Sequence, residues 1–194
     1  MHYKKCSQAG QDKFAYELFG DQGTYVEIGA FRPASKSNTY NLEVNGNWKG
    51  FSIELDISHQ PSWSECRERK NKIYWSNALT FDYAAAIAEN NLPMHINYLS
   101  CDIEPPSNTF EALKRVINAG ITFDCITFEH DAYQNNSGID YNKLATEFLA
   151  EHGYKIAVTD VYAKHPDKIF ETWYVKGNID FQEISYTDWK LHTQ

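Results

Sequence analysis

The chain has 194 residues, which is enough for one domain with a sizeable core. Hydrophobic residues make up 42% of it and aromatic residues 15%, which excludes a disordered chain. The formal net charge of −8 argues against a long polyanionic partner such as nucleic acid, and no apolar run approaches the ~20 residues that span a bilayer.

The first elements of the chain alternate between helix and strand. Periodic apolar residues predict a helix from Gln8 to Leu18, with Gly20 as its stop. The segment GTYVEIGA then predicts a short buried strand, Thr24–Ile28, that ends at Gly29. After a polar loop, Ser37 and Asn38 are good N-cap candidates for the next short helix.

The same alternation continues along the chain. Further strands are predicted at Phe51–Leu55, Ile73–Trp75, Ile96–Cys101 and Cys125–Phe128, with helices at Trp63–Arg69, Phe81–Glu89, 107–120 and 141–153. Two final strands, in KIAVTDVYA and FETWYVKG, are predicted to pair antiparallel at one edge. Because parallel strands need crossover connections, this order predicts an α/β fold: a doubly wound, mostly parallel seven-stranded sheet with an antiparallel terminal strand pair and helices on both faces, forming a single domain over residues 1–194.

Polar residues end the predicted strands. In such sheets, ligands bind outside the carboxyl ends of the strands. Those ends carry Glu27 and Gly29, Glu54 and Asp56, Ser76 and Asn77, Asp102 and Glu104, and Glu129, His130 and Asp131. Ionised groups avoid burial unless they are paired or bound, so these ends together indicate one acidic crevice. Gly29 would let a ligand approach the backbone closely, and Glu54 could accept hydrogen bonds from two ribose hydroxyls.

Several motifs resemble a known family. SQAGQD, VEIGA, SNTYNLE, NWKGFSIELD, NYLSCDIE, ITFEHD and HGYKIAVTDVY…FETWYV occur in the order found in FkbM-type S-adenosylmethionine-dependent methyltransferases. The resemblance runs from Ser7 to about Val175. It implies the class I, Rossmann-like methyltransferase fold and an EC 2.1.1 activity that transfers a methyl group from S-adenosylmethionine to oxygen. Because the family often acts on sugar hydroxyls, it also implies a carbohydrate or glycoside acceptor, with no nucleic acid expected.

The resemblance also implies a set of cofactor contacts. Residues 1–20 would form an N-terminal helix that covers the cofactor site. The expected cofactor-binding residues are Gln11, Glu27, Gly29, Ala30, Ser37, Asn38, Glu54, Leu55, Asn77, Ala78 and Asp102. Simple helix capping is an equal explanation of Ser37 and Asn38. The loop Phe31-Arg32-Pro33 lacks the second glycine of many relatives, and Pro105 and Pro106 replace another family motif, so the acceptor pocket is expected to differ.

Asp102, Glu129 and His130 are the expected catalytic residues, and two mechanisms stay open. Their oxygen and nitrogen atoms suit a divalent cation such as Mg²⁺ or Mn²⁺, which would lower the pKa of an acceptor hydroxyl. Alternatively, Asp102 or His130 acts as a general base without metal on another small-molecule hydroxyl.

Two other classes of protein remain open. An NAD-binding oxidoreductase would also want an acid after the second strand, but GAFRP lacks the spaced glycines of that fingerprint. A non-catalytic nucleotide-binding module is the other alternative. The four scattered cysteines form no CxxC pair, which favours reduced thiols and a cytoplasmic location.

Overall fold

One eight-stranded sheet organises the protein. The computed structural model describes residues 5–134 and 138–193. The strands are β1 (Thr24–Ile28), β2 (Lys49–Glu54), β3 (Lys72–Trp75), β4 (His95–Cys101), β5 (Thr122–Glu129), β6 (Tyr154–Tyr162), β7 (Ile169–Lys176) and β8 (Ile184–Ser185). Their spatial order is β3-β2-β1-β4-β5-β7-β6-β8.

The first five strands are parallel, and β7 runs antiparallel to both of its neighbours. The predicted parallel sheet and antiparallel terminal pair, β6 and β7, are therefore confirmed. The sheet has one strand more than predicted, because β8 adds a short parallel pairing to β6, at Val158 and Ile184. Two residues with no periodic pattern around them give no strand signal in the sequence.

Within the described residues, seven α-helices surround the sheet. They are α1 (Gln11–Phe19), α2 (Tyr40–Val44), α3 (Gln60–Glu65), α4 (Tyr83–Glu89), α5 (Pro106–Asn118), α6 (Tyr141–Glu151) and α7 (Tyr186–His192). Short 3-10 helices lie at Ile57–His59 and Ala132–Gln134. Among the described helices, none is both long and apolar enough to cross a lipid bilayer.

Several helix boundaries differ from the sequence prediction, and two of the differences have a local cause. The first helix begins at Gln11 instead of Gln8, because Gly10 has a φ of 88°, which breaks the helical path. The third helix ends at Glu65 instead of Arg69, because Cys66 adopts an extended conformation. The predicted covering role of residues 1–20 falls partly on residues 1–4, which lie outside the described residues.

Each face of the sheet carries its own core. Side chains alternate along a strand, so Val26 and Ile28 face one way and Tyr25 the other. The first core packs against α4, α5 and α6. The second packs against α1, α2 and α7, and there the rings of Phe14 and Trp173 lie 4.9 Å apart. The sheet is thus covered on both faces, and its carboxyl edge is left for a site.

Candidate functional site

A cavity of about 520 Å³ lies along the carboxyl ends of the parallel strands. We call it the cofactor cavity, since the expected cofactor contacts concentrate there. Of those contacts, its lining contains Gly29, Glu54, Leu55, Asn77, Ala78 and Asp102, together with the expected catalytic residue Glu129. The lining also includes Gln8, Phe31, Lys36, Ile53, Asp56, Ser76, Leu79, Ile103, Glu104 and Asn108.

Gly29 lies at a tight turn directly after β1. Its φ is +86°, and a Cβ atom there would lie 1.6 Å from the carbonyl oxygen of Asp102. No side chain fits that space, so β1 and β4 can approach each other at this point only with glycine. The next residue, Ala30, is 1% exposed and does not line the cavity. The expected cofactor contact from Ala30 is therefore corrected, because the residue is buried and its backbone N–H donates to the Ile53 carbonyl at 3.1 Å.

Glu54 joins the loops that follow β1 and β2. One of its carboxylate oxygens accepts the backbone N–H of Phe31 at 2.7 Å, and the other accepts that of Asp56 at 2.7 Å. Each oxygen has a second lone pair, so the carboxylate can also accept from a ligand in the cavity. The Trp63 indole N–H, which donates to the Phe31 carbonyl at 3.0 Å, further anchors the same loop.

The end of β3 forms the far wall of the cavity. The backbone N–H of Ser76 donates to the Glu54 carbonyl at 2.9 Å, which continues the β2–β3 pairing. Asn77 then closes a tight turn, in which its side-chain oxygen accepts the Leu79 N–H at 2.9 Å. Ala78 is 5% exposed and small. Ala78 and Leu79 give this wall an apolar part beside the polar Ser76 and Asn77.

Glu27 lies beneath the cavity instead of in its lining. It is 1% exposed, and its carboxylate lies 3.6 Å from the guanidinium of Arg69. The hydroxyls of Thr39 and Ser52 donate to it at 2.8 and 2.7 Å. The expected cofactor contact from Glu27 is therefore corrected: these four buried groups satisfy one another. Nothing in the local pattern marks Arg69, which comes from a loop 42 positions away in the chain.

Ser37 and Asn38 belong to the same buried polar layer. The Ser37 hydroxyl accepts from Arg69 at 3.1 Å and from the Tyr40 N–H at 3.1 Å. The Asn38 amide donates to the Ser100 hydroxyl at 3.0 Å. Neither residue lines the cofactor cavity. The capping explanation fits Ser37, which accepts backbone N–H groups at the start of α2.

Gln11 also turns away from the cavity. Its side-chain amide donates to Glu171 at 2.8 Å, and its oxygen accepts the Ala9 N–H at 2.9 Å. Gln8 lines the cavity instead. The correction follows from the start of α1: residues 7–10 form a bend outside the helix, so Gln8 and Gln11 do not share a helix face.

Three carboxyl groups gather at the ends of β4, β5 and β7. We call Asp102, Glu129 and Glu171 the acid group, because one oxygen of each lies within 4.8 Å of the others. Burial raises the pKa of Asp102, and burial together with the Asp102 charge raises that of Glu129 far above its usual range. Burial also raises the pKa of Glu171 to about 8, although Gln11 and Trp173 donate to its carboxylate. Such a group needs a shared proton or a bound cation.

The sequence prediction missed Glu171, since only strand pairing brings it to the site. In the antiparallel pair of β5 and β7, Glu129 lies directly opposite Glu171. That register depends on contacts between segments about 40 residues apart. The sequence did carry one signal: Glu171 lies within an apolar strand, and a carboxyl group buried there needs a hydrogen-bonding or charged partner.

His130 does not join the acid group. It is 3% exposed, its Nδ1 accepts the Ala132 N–H at 3.2 Å, and its Nε2 pairs with the Thr172 hydroxyl at 3.2 Å. Burial lowers its pKa to about 4, so the ring is neutral at pH 7. The expected catalytic and metal-ligating roles of His130 are corrected, because both ring nitrogens are occupied within the fold.

Comparisons with known proteins show the fold. No family model and no curated protein matches the sequence. The rRNA methylase of Streptococcus thermophilus is 10% identical, with 90% of this chain and 98% of that chain covered and a TM-score of 0.58. Aeropyrum pernix fibrillarin, solved with S-adenosyl-L-methionine, is 12% identical, with 87% and 76% covered and a TM-score of 0.53. The plantazolicin methyltransferase BpumL, solved with SAH, is 8% identical, with 88% and 83% covered and a TM-score of 0.57.

The chain therefore has the class I methyltransferase fold, as predicted. The expectation of a carbohydrate or glycoside acceptor and no nucleic acid was wrong, because RNA methyltransferases stand among the structures that share this fold. The overall charge does not exclude nucleic acid as a partner, for a physical reason. A net charge of −8 describes the whole chain, whereas a partner meets the charge of one local surface.

Proposed function

We propose that the protein is an S-adenosylmethionine-dependent methyltransferase whose cofactor occupies the cofactor cavity. The observation that carries the proposal is the order of side chains along that cavity. Asn77 and Ala78 at the end of β3 suit the adenine, Glu54 at the end of β2 suits the ribose hydroxyls, and Gly29 and Asp102 suit the methionine part. A volume of about 520 Å³ is in the range of small-molecule sites. The FkbM-type assignment stays a prediction that rests on the order of the motifs.

Calorimetric titration with S-adenosylhomocysteine and with NAD tests this proposal. We expect S-adenosylhomocysteine to bind and NAD not to bind. Glu54→Gln should weaken S-adenosylhomocysteine binding by about 10- to 100-fold, because a charge-assisted hydrogen bond contributes about 1.5–3 kcal/mol. Glu65→Gln, at an exposed position outside the cavity, is the matched control and should change nothing. Binding of NAD alone would overturn the proposal in favour of an oxidoreductase.

We propose RNA as the acceptor. A second cavity of about 370 Å³ adjoins the first, and Gln8 lines both. Its lining includes Lys5, Lys13 and Lys190, and we call it the lysine cleft. The overall charge of the chain is negative. Ammonium groups are the usual partners of backbone phosphates, and the cleft would hold them beside the methyl donor.

Transfer of a labelled methyl group from S-adenosylmethionine to total RNA, measured across a salt series, tests the acceptor. We expect transfer that falls steeply as salt rises. Lys13→Met should lower transfer and flatten that dependence, while Lys114→Met, on α5 at the other face of the sheet, should not. Transfer to proteins or peptides but not to RNA would show that the acceptor is wrong.

Two forms of catalysis by the acid group are compatible with its geometry. Without a metal, Glu129 would hold a proton and hydrogen-bond Asp102, leaving Asp102 to accept the proton of an acceptor hydroxyl. With a metal, the carboxylates of Asp102, Glu129 and Glu171 would hold Mg²⁺ or Mn²⁺, since hard cations prefer oxygen ligands. A bound cation would lower the pKa of the acceptor hydroxyl.

Chelation separates the two forms. If a metal is needed, thorough chelation should abolish methyl transfer, and Mg²⁺ or Mn²⁺ should restore it. If activity survives chelation and added metal does not raise it, the metal form is excluded. Asp102→Asn should reduce turnover at least ~100-fold in either case, because it removes the charge on which both depend.

A further inference from the structure

The lining of the cofactor cavity is strongly acidic. Glu54, Asp56, Asp102, Glu104 and Glu129 all contribute to it. Among the described residues that line the cavity, Lys36 is the one with a cationic side chain. S-adenosylmethionine carries a sulfonium, an ammonium and a carboxylate. The acids suit the two cationic groups, whereas Lys36 offers the carboxylate a charge of opposite sign.

Lys36 lies at the methionine end of the cavity. It belongs to the loop between β1 and α2, and its ammonium is close enough to Asp102 for its charge to oppose the raised pKa of that carboxyl. The ammonium also lies 5.6 Å from the centre of the Phe31 ring. The adenine wall at Asn77 is two strands away, at the end of β3. Distance along the sheet thus separates Lys36 from the ring-binding end.

The loop that carries Lys36 is held firmly on both sides. The buried guanidinium of Arg69 donates to the Pro33 carbonyl at 3.1 Å and to the Ser37 hydroxyl at 3.1 Å. Lys36 itself has a φ of 60°, a conformation that turns the chain sharply between these two anchors. The Lys36 side chain is exposed. Its backbone is held in place by the contacts of Arg69 with Pro33 and Ser37.

We infer that Lys36 binds the carboxylate of the methionine part of S-adenosylmethionine and thereby selects a cofactor with an amino-acid end. This inference rests on the proposed function and adds to it a binding residue that none of the sequence motifs contains. The ammonium donates charge-assisted hydrogen bonds to the carboxylate.

The test combines a truncated ligand with a truncated side chain. Calorimetry measures the binding of S-adenosylhomocysteine and of 5′-methylthioadenosine, which lacks the amino-acid end. Lys36→Met should weaken S-adenosylhomocysteine binding by about 10-fold and leave 5′-methylthioadenosine within about twofold. Lys36→Arg should retain most of the affinity. Arg32→Met is the matched control, because Arg32 also lies over the Phe31 ring, at 5.1 Å, but does not line the cavity.

Each other outcome overturns the inference in its own way. Equal losses for both ligands would mean that Lys36 acts by shaping the loop. Unchanged S-adenosylhomocysteine affinity with reduced methyl transfer would mean that Lys36 binds the acceptor instead. If the wild-type protein binds 5′-methylthioadenosine and S-adenosylhomocysteine equally well, the carboxylate makes no contact that raises the affinity. Failure of the wild-type protein to bind either ligand would overturn the proposed function as well.

Discussion

At the scale of single residues, the protein buries several carboxyl groups, and burial raises the pKa of each. Asp12 is an example outside the acid group. It is 1% exposed, and its carboxylate accepts from the Ser7 hydroxyl at 2.5 Å and from the Asn41 amide at 2.6 Å. Burial outweighs these hydrogen bonds and raises the pKa of Asp12 to about 6.

This shift predicts how stability depends on pH. The folded pKa of Asp12 is higher than the unfolded one, so the folded state is favoured at low pH and loses stability as pH rises from about 4 to 6. Asp12→Asn cannot titrate and should lack this loss. Urea denaturation at pH 4 and pH 7 should show the free-energy difference between the proteins shifting by about 2 kcal/mol in favour of the variant at pH 7.

Asp180→Asn, at an exposed position, controls for the removal of one negative charge. Its difference from the wild type should stay nearly constant between the two pH values. A difference for Asp12→Asn that also stays constant would show that Asp12 ionises as easily in the folded protein as in the unfolded one.

At the scale of elements, the loop between β1 and α2 depends on one buried cation. The Arg69 guanidinium lies 3.6 Å from Glu27 in β1 and 2.6 Å from Glu43 in α2, and it donates to Ser52 in β2 at 3.2 Å. It also holds the loop through the Pro33 carbonyl. Four segments thus meet on a single side chain that follows α3.

Arg69→Met should therefore be strongly destabilising. The methionine fills similar space but leaves two buried carboxylates without their partner, which costs about 3–5 kcal/mol. Arg67→Met, two residues earlier and exposed, should change the free energy of unfolding by no more than ~0.5 kcal/mol. Urea denaturation followed by circular dichroism measures both. Equal effects of the two variants would contradict the role of Arg69 as the link between these elements.

At the scale of the whole molecule, helices α1 and α7 pack over the same face of the sheet. Trp189 in α7 packs edge-to-face against Trp173 of β7, with ring centres 4.9 Å apart, and against Phe14 of α1, at 6.3 Å. The Tyr186 hydroxyl donates to the Ala9 carbonyl at 2.7 Å. The segment that carries Gln8 to the cofactor cavity is thus supported by the last helix.

Trp189→Ala should loosen this closure. We expect a loss of about 3–5 kcal/mol in the free energy of unfolding, because a large aromatic side chain leaves a cavity behind. S-adenosylhomocysteine affinity should fall severalfold, since Gln8 loses its support. Leu191→Ala, in the same helix but 69% exposed, is the control and should alter neither quantity by much. Full stability with Trp189→Ala would show that α7 is not part of the second core.

The sequence by itself determined the order of helices and strands, the fold class and several residues that line the cofactor cavity. Strand ends such as Gly29, Glu54 and Asn77 could be placed in one cavity, because side-chain alternation and glycine turns are local properties, and parallel strands bring their carboxyl ends to one edge. Helix starts at capping residues are equally local, as Asp140 shows by accepting the Lys143 N–H at the start of α6.

Only the tertiary structure decided which polar residues line the cofactor cavity and which are buried beside it. Glu27 forms a buried ion pair with Arg69, and the buried ring of His130 hydrogen-bonds with Thr172. Glu171 entered the acid group through an antiparallel register, and Lys36 reached the cavity through a loop pinned from below. The reason is common to all four: a buried polar group is satisfied by whichever partner folding brings near, and that partner is distant in the sequence.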